Sequence, residues 1–293
     1  MAGHFLVLIA ALGAGKPAGA QALTGTAPLT EDEALGPAMV AGIDRYLMRA
    51  LEDSITGRAA LWRRDLSSHA AYTASVQVNR ERFARIVGVV DARDDAALQM
   101  QAPAGQPAEL GRGPGYTAYT VSWKVFRGVV AEGILLEPDA APKANVIALP
   151  DCDWTPEAVS GLAPGVPAEA QFARRLAEGG CRVLVPTLID RRDTYSGTPG
   201  IRMTNQPHRE FIYRAAYQMG RHVIGYEVQE VLAAVDWFAR EADSLPVGVA
   251  GYGEGGLVAL YAAAVDTRID AALISGYFGP RERVWAEPIY RNV

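Results

Sequence analysis

From Val247 to Leu257 the chain reads VGVAGYGEGGL, a short apolar run that passes through a glycine-rich turn into a second apolar segment. A strand that turns this abruptly into a helix holds its central residue in a strained conformation, and it tolerates only small residues two positions to either side. That demand fixes the frame. With Gly251 and Gly255 as the small flanks, the centre falls on Gly253. Centring on Glu254 would place Tyr252 at a flank, and centring on Tyr252 would place Glu254 there. In a G-x-S-x-G turn the centre presents a nucleophile. Here the hydroxyl or thiol is missing, while glycine keeps the strained backbone accessible.

The surroundings follow an alternating pattern. Tyr119, Val121, Trp123 and Val125 alternate with polar residues, the period of a half-buried strand, and Val129 to Leu136 reads as its hairpin partner across Arg127-Gly128. Buried strands are then predicted at 144–149, 182–189, 247–250 and 271–275. Helices are predicted between them at 168–178, at 211–240 with interruptions near Gly220 and Gly225, and at 255–265. This order specifies an α/β fold with a mostly parallel sheet covered by helices on both faces.

Residues upstream of Tyr116 read differently. Phe5 to Gly15 is an apolar run of signal-peptide length, followed by small residues that would accept cleavage near Ala20 or Ala22. Residues 1–22 are therefore predicted to be a signal peptide and the protein to be exported, periplasmic or extracellular. Residues 23–93 read as a small helical region. A T-x-x-E capping box at Thr30–Glu33 precedes a helix whose stripe is Met39, Val40, Ile43, Tyr46, Leu47, Leu51 and Ile55, and a second helix covers Ser68 to Val87. Residues 94–115 are rich in Ala, Gly, Pro and Gln and read as a linker, leaving residues 116–293 as the α/β domain. No later stretch is apolar enough to anchor the chain in a membrane.

Composition narrows the partners. The 28 Lys and Arg stand against 33 Asp and Glu, a net charge of −5, with no long basic run, so neither nucleic acid nor an anionic membrane surface is expected. Cys152 and Cys181 are too few for a disulfide scaffold or a four-thiolate metal site, and their apolar settings suggest buried free thiols.

The elbow, the Gly255-Gly256 pair, the order of elements and the segment Gly220 to Phe238 (GRHVIGYEVQEVLAAVDWF) resemble the α/β-hydrolase superfamily, closest to acetylxylan esterase-like and dienelactone hydrolase-like proteins. The resemblance spans roughly residues 116–293. It implies a Ser or Cys nucleophile, then an acid, then a His, in that chain order. Gly253 holds the nucleophile's place without its chemistry. The resemblance also implies an oxyanion hole built from the backbone N–H of Glu254 and one from the loop Pro150-Asp151-Cys152-Asp153-Trp154. The four histidines, His4, His69, His208 and His222, all precede the elbow, and the sequence ends at Val293. The domain is thus expected to be C-terminally truncated and its sheet incomplete at that end.

Asp151, Cys152, Asp153, Asp190, Arg191 and Tyr252 are the candidate binding residues; Asp190 and Arg191, with Asp193, follow a strand's carboxyl end, where open α/β sheets hold ligands. The Asp151/Asp153 pair reads as loop capping rather than a metal site, and Cys152 lacks a His to activate it. Glu254 is expected to point away from the cleft into local polar contacts. No cofactor is predicted; the implied ligand is a small ester or a carbohydrate. The expected function is an exported protein of carboxylic-ester hydrolase ancestry whose triad is incomplete. The alternatives are an active hydrolase with a non-standard nucleophile, and a non-catalytic carbohydrate- or peptide-binding module.

Overall fold

The computed structural model describes residues 24–26, 34–95, 97–102, 104–194, 200, 206–240 and 245–279. The predicted signal peptide and the capping box lie outside these residues. The chain divides into two units, Met1–Trp62 and Arg63–Val293. In the first, one helix, α1 (Leu35–Ala59), is described. None of its residues is buried, and its stripe from Met39 to Ile55 remains exposed.

The second unit is built on an eight-stranded sheet. Its strands are β1 (Leu98–Met100), β2 (Glu109–Gly113), β3 (Tyr116–Phe126), β4 (Val129–Pro138), β5 (Asn145–Leu149), β6 (Arg182–Pro186), β7 (Val247–Tyr252) and β8 (Ala271–Ser275). Their order is β1-β3-β4-β6-β5-β7-β8, with β2 also pairing β3. The predicted hairpin is the antiparallel β3–β4 pair, turning at Gly128 with φ +84°. β6, β5, β7 and β8 run parallel, while β4 meets β6 antiparallel, so the sheet is mixed. From β5 the chain steps to β6 on one side, and β7 returns on the other side before leading to β8. The carboxyl ends of β5 and β7 therefore flank a topological switch point, where such sheets form a crevice.

Residues 94–115 differ from their reading as a linker. Leu98–Met100 pairs with Val121–Trp123, and Glu109–Gly113 pairs with Tyr116–Tyr119. β3 is eleven residues long and leaves one side of its backbone ladder open. Two short, half-exposed strands satisfy those groups with hydrogen bonds, which composition does not register.

Helices cover both faces. On one, α6 (Val223–Phe238) and α7 (Glu254–Val265) bury Val228, Val231, Leu232 and Val258 against Trp123, Ile147, Leu149 and Leu184. On the other, α3 (Pro156–Val159) and α4 (Phe172–Glu178) bury Val159, Ala173 and Ala177 against Ile134, Leu136, Val183 and Val185. Adjacent residues of β6 thus enter opposite cores, as a doubly covered strand requires. The long helix predicted over 211–240 is two helices, α5 (His208–Gln218) and α6, broken at Gly220, which has φ +68°. Gly225 does not break α6. A Cβ there would lie 2.3 Å from the Val87 carbonyl oxygen, so this glycine serves close packing against the residues after α2 (His69–Ile86). No helix among the described residues is long and apolar enough to cross a membrane.

Candidate active site

The frame deduced from the glycines is the one the backbone adopts. Gly253 has φ +58° and ψ −122°, between the end of β7 and the start of α7. A Cβ on Gly251 would sit 2.1 Å from the Gly255 carbonyl oxygen, and one on Gly255 would sit 2.2 Å from the carbonyl oxygens of Leu149 and Pro150. The flanking glycines are therefore imposed by packing of the turn on β5. The Gly253 N–H donates to the Ser275 carbonyl at 2.9 Å, tying the turn to β8.

The place of the missing side chain is taken by a carboxylate from the neighbouring strand end. Asp151 Oδ2 lies 2.1 Å from where a Cβ on Gly253 would stand. The same oxygen accepts the Glu254 N–H at 3.0 Å, the donor that the resemblance assigns to an oxyanion. The other carboxylate oxygen accepts the Asp153 N–H at 3.1 Å and Arg191 Nη1 at 3.3 Å. The Asp151 carboxylate thus occupies the donor that the resemblance assigns to an oxyanion.

Around this contact runs a network of charges. Arg191 donates to Asp153 Oδ2 at 2.9 Å and to Glu254 Oε2 at 3.1 Å. Glu254 Oε1 accepts Arg209 Nη2 at 3.1 Å, and Arg209 forks onto both oxygens of Glu227 at 2.6 and 3.0 Å. Arg209 and Glu227 are each 0% exposed. Burial pushes the Glu254 carboxyl above its ordinary value, against the pull of Arg209 and with the push of Glu227. Its side chain does make local polar contacts, but these run to two other segments rather than to its own helix. The network joins the loops after β5 and β6 to α5, α6 and α7, fixing the carboxyl end of the sheet as one piece.

The other candidates go separate ways. Cys152 is buried, and burial pushes its thiol up, away from the reactive thiolate. Cys181 is also free and half-buried. Asp151, Cys152 and Asp153 bring ligand atoms within 4.8 Å of one another, but the Arg191 guanidinium already sits on both carboxylates. Asp190 turns to His208, whose Nδ1 lies 2.6 Å from Oδ1, and to the Arg192 guanidinium. Burial would raise the Asp190 carboxyl, yet the hydrogen bonds from Arg192 and His208 outweigh it and hold it below the usual range. His222 caps α6, accepting the Ile224 N–H at 3.1 Å, and burial with the nearby Arg209 charge keeps it easier to deprotonate than usual.

Tyr252 faces away from these charges. Its ring stacks on Trp154, with centroids 4.9 Å apart and planes 5° apart. Together with Phe172, Leu273 and Ser275 these rings border a cleft of about 320 Å³. Sequence reasoning missed Arg209, Glu227 and the role of Trp154. In the sequence Arg209 is one charged residue beside Glu210, and nothing in such a pair announces that the arginine is buried.

The comparisons with known proteins agree with this architecture. No curated protein matches the chain. Among solved structures, a candidate acetyl xylan esterase from Bacteroides fragilis aligns with a TM-score of 0.51 at 15% identity, covering 69% of this chain and 52% of its own. A glucuronoyl esterase from Solibacter usitatus aligns at 0.46 and 15% identity, covering 71% and 59%. Acetyl xylan esterase 1 from a Thermoanaerobacterium species aligns at 0.44 and 18% identity, covering 73% and 63%. The chain thus spans about half the length of the Bacteroides protein, and at 15% identity its likeness to that protein is one of fold. The dienelactone hydrolase family model matches residues 132–289, from within β4 through the elbow and past β8. That is more than half of the chain, and with the α/β-hydrolase sheet and the Gly253 turn in place, this protein belongs to the dienelactone hydrolase family.

Proposed function

We propose that this protein is an exported member of the esterase lineage that does not carry out acyl transfer at its elbow. The observation that carries the reading is the exchange at Gly253. The nucleophile's side chain is absent, and the Asp151 carboxylate lies where it would have been, hydrogen-bonded to the Glu254 N–H. Acyl transfer by this fold needs a nucleophile, a base and an empty oxyanion site. Gly253 supplies no nucleophile, and an anion from the chain's own loop fills the last. Asp151 is a poor substitute nucleophile, because both its oxygens already accept hydrogen bonds from Glu254, Asp153 and Arg191. Export rests on the Phe5–Gly15 run and its small-residue sequel.

A second reading, a binding module that keeps the old crevice, draws support from the aromatic cleft beside Tyr252. Hydrolysis of 4-nitrophenyl acetate by the purified protein tests the main reading. The expected rate equals that of a Gly253→Ala variant and of buffer with an inert protein. Turnover that a serine-directed inhibitor abolishes, or that Asp151→Asn abolishes, would refute it. Export is tested by N-terminal sequencing of the mature protein, expected to begin after Ala20 or Ala22.

A further inference from the structure

The cleft at the ends of β7 and β8 differs in chemistry from the charged cluster a few residues away. Trp154, Phe172, Tyr252 and Leu273 give it three aromatic rings and an aliphatic wall, and no Asp, Glu, Lys or Arg lines it. Its polar side-chain groups are the hydroxyls of Tyr252 and Ser275 and the indole N–H of Trp154. The acidic groups nearby are consumed elsewhere: Asp151, Asp153 and Glu254 are bound to Arg191, and Glu254 also to Arg209.

We propose that this cleft binds a neutral, planar aromatic molecule of one or two rings, such as a phenol or an aryl ester. Three features select that class. An uncharged lining excludes a charged ligand, which would lose its hydration without gaining a partner. Two hydroxyls and one indole N–H are too few for a sugar, whose ring carries several hydroxyls that each need a donor or acceptor when water is removed. A volume of about 320 Å³ lies at the lower end of the roughly 300–1,000 Å³ of small-molecule sites, room for a bicyclic ring system rather than an oligosaccharide or a peptide segment. The parallel Trp154–Tyr252 pair offers flat aromatic surface, and Tyr252 is 41% exposed, so a ring can slide against it. This inference rests on the binding reading above, and it holds whether or not the elbow cleaves esters.

The test titrates the intact protein with 2-naphthyl acetate by calorimetry, and follows release of fluorescent 2-naphthol in the same samples. Saturable one-site binding is expected, weakened at least tenfold by Trp154→Ala and by Leu273→Asp. Leu273 is 62% exposed, so its replacement leaves the folded protein available even if the tryptophan variant does not fold. Xylobiose is expected not to bind. The absence of saturable heat up to the probe's solubility limit would overturn the proposal, as would binding that both variants leave unchanged, or tighter binding of xylobiose than of the aryl ester. A second copy of the chain seated in the cleft would appear as self-association lost in Leu273→Asp, and would also overturn it. Release of naphthol alongside binding would refute the loss of acyl transfer and leave the cleft assignment standing, so the two readings fail separately.

Discussion

Replacing Gly253 by alanine is the sharpest test of the exchange between the turn and Asp151. Two costs arise. The first is backbone: at φ +58° and ψ −122° a residue with a Cβ is strained by about 1–3 kcal/mol. The second is contact: the new Cβ falls 2.1 Å from Asp151 Oδ2 and 3.0 Å from its Cγ, so the carboxylate must leave. Its departure breaks a charge-assisted hydrogen bond to the Glu254 N–H, worth about 1.5–3 kcal/mol. Gly253→Ala should therefore destabilise the protein by about 2.5–6 kcal/mol, a large part of the roughly 5–15 kcal/mol that holds a domain folded. In an Asp151→Ala background the space is vacant and the hydrogen bond already gone, so only the backbone cost of about 1–3 kcal/mol remains. The double variant is then more stable than the sum of the single ones predicts, by about 1.5–3 kcal/mol, within the range of directly contacting pairs. Urea unfolding of the four proteins, with midpoints and slopes compared, measures the coupling. Additivity within about 0.5 kcal/mol would refute the reasoning, because it would mean that the carboxylate does not occupy the turn.

Three further outcomes follow from the same region and its supporting strands. Arg209→Met leaves Glu227 and Glu254 without their shared cation and should cost about 3–5 kcal/mol in thermal or urea unfolding; adding Glu227→Gln should recover part of it. The Asp190 carboxyl, held below its ordinary value of 3.8, contributes stability that is complete above that value and lost as pH falls through its lower folded value; Asp190→Asn should move acid unfolding to higher pH, and superimposable acid limbs would contradict the attribution. Asn145 is 0% exposed at the start of β5, with neither side-chain polar atom paired among the described residues. Asn145→Val should stabilise by about 1–3 kcal/mol, and a loss of similar size would show that the amide has a partner in solution.

What the sequence revealed depended on how local the physics was. The elbow frame was legible because its steric demand acts between residues four positions apart, and Gly251, Gly253 and Gly255 answer it within one stretch. The buried strands at Val183–Val185 and Ile147–Leu149 were legible because β-branched and leucine runs of that length fit a sheet covered on both faces. β1 and β2 were not, since what orders them is the open edge of β3 rather than any apolar content of their own. The ion pairs of Arg209 were hidden for a related reason. Its partners Glu227 and Glu254 lie 18 and 45 residues away, and their meeting depends on the strand order. Asp151 was singled out for its position after a strand end, yet its contact with Gly253 spans 102 residues and appears only once β5 and β7 are known to be neighbours.

The glycine and the carboxylate are best understood as one change rather than two. The turn holds without a side chain at position 253, because Gly251 and Gly255 pack on each other and on the end of β5, and the Gly253 N–H anchors β8. With no side chain at position 253, the turn has a small space beside a backbone donor, the Glu254 N–H at the start of a twelve-residue helix. An empty space there loses contacts, and an unpaired donor costs more when it is shielded from water. Asp151, on the adjacent strand end, fills the space and satisfies the donor with a charge that the helix N-terminus favours. Arg191 then balances that charge and ties in Asp153 and Glu254. Each of these contacts stabilises the carboxyl end of the sheet, and the first leaves the Glu254 N–H already bonded to an anion. A serine placed at position 253 would therefore meet the Asp151 carboxylate on the Glu254 N–H, so acyl transfer from that turn would require removal of Asp151 as well as a base.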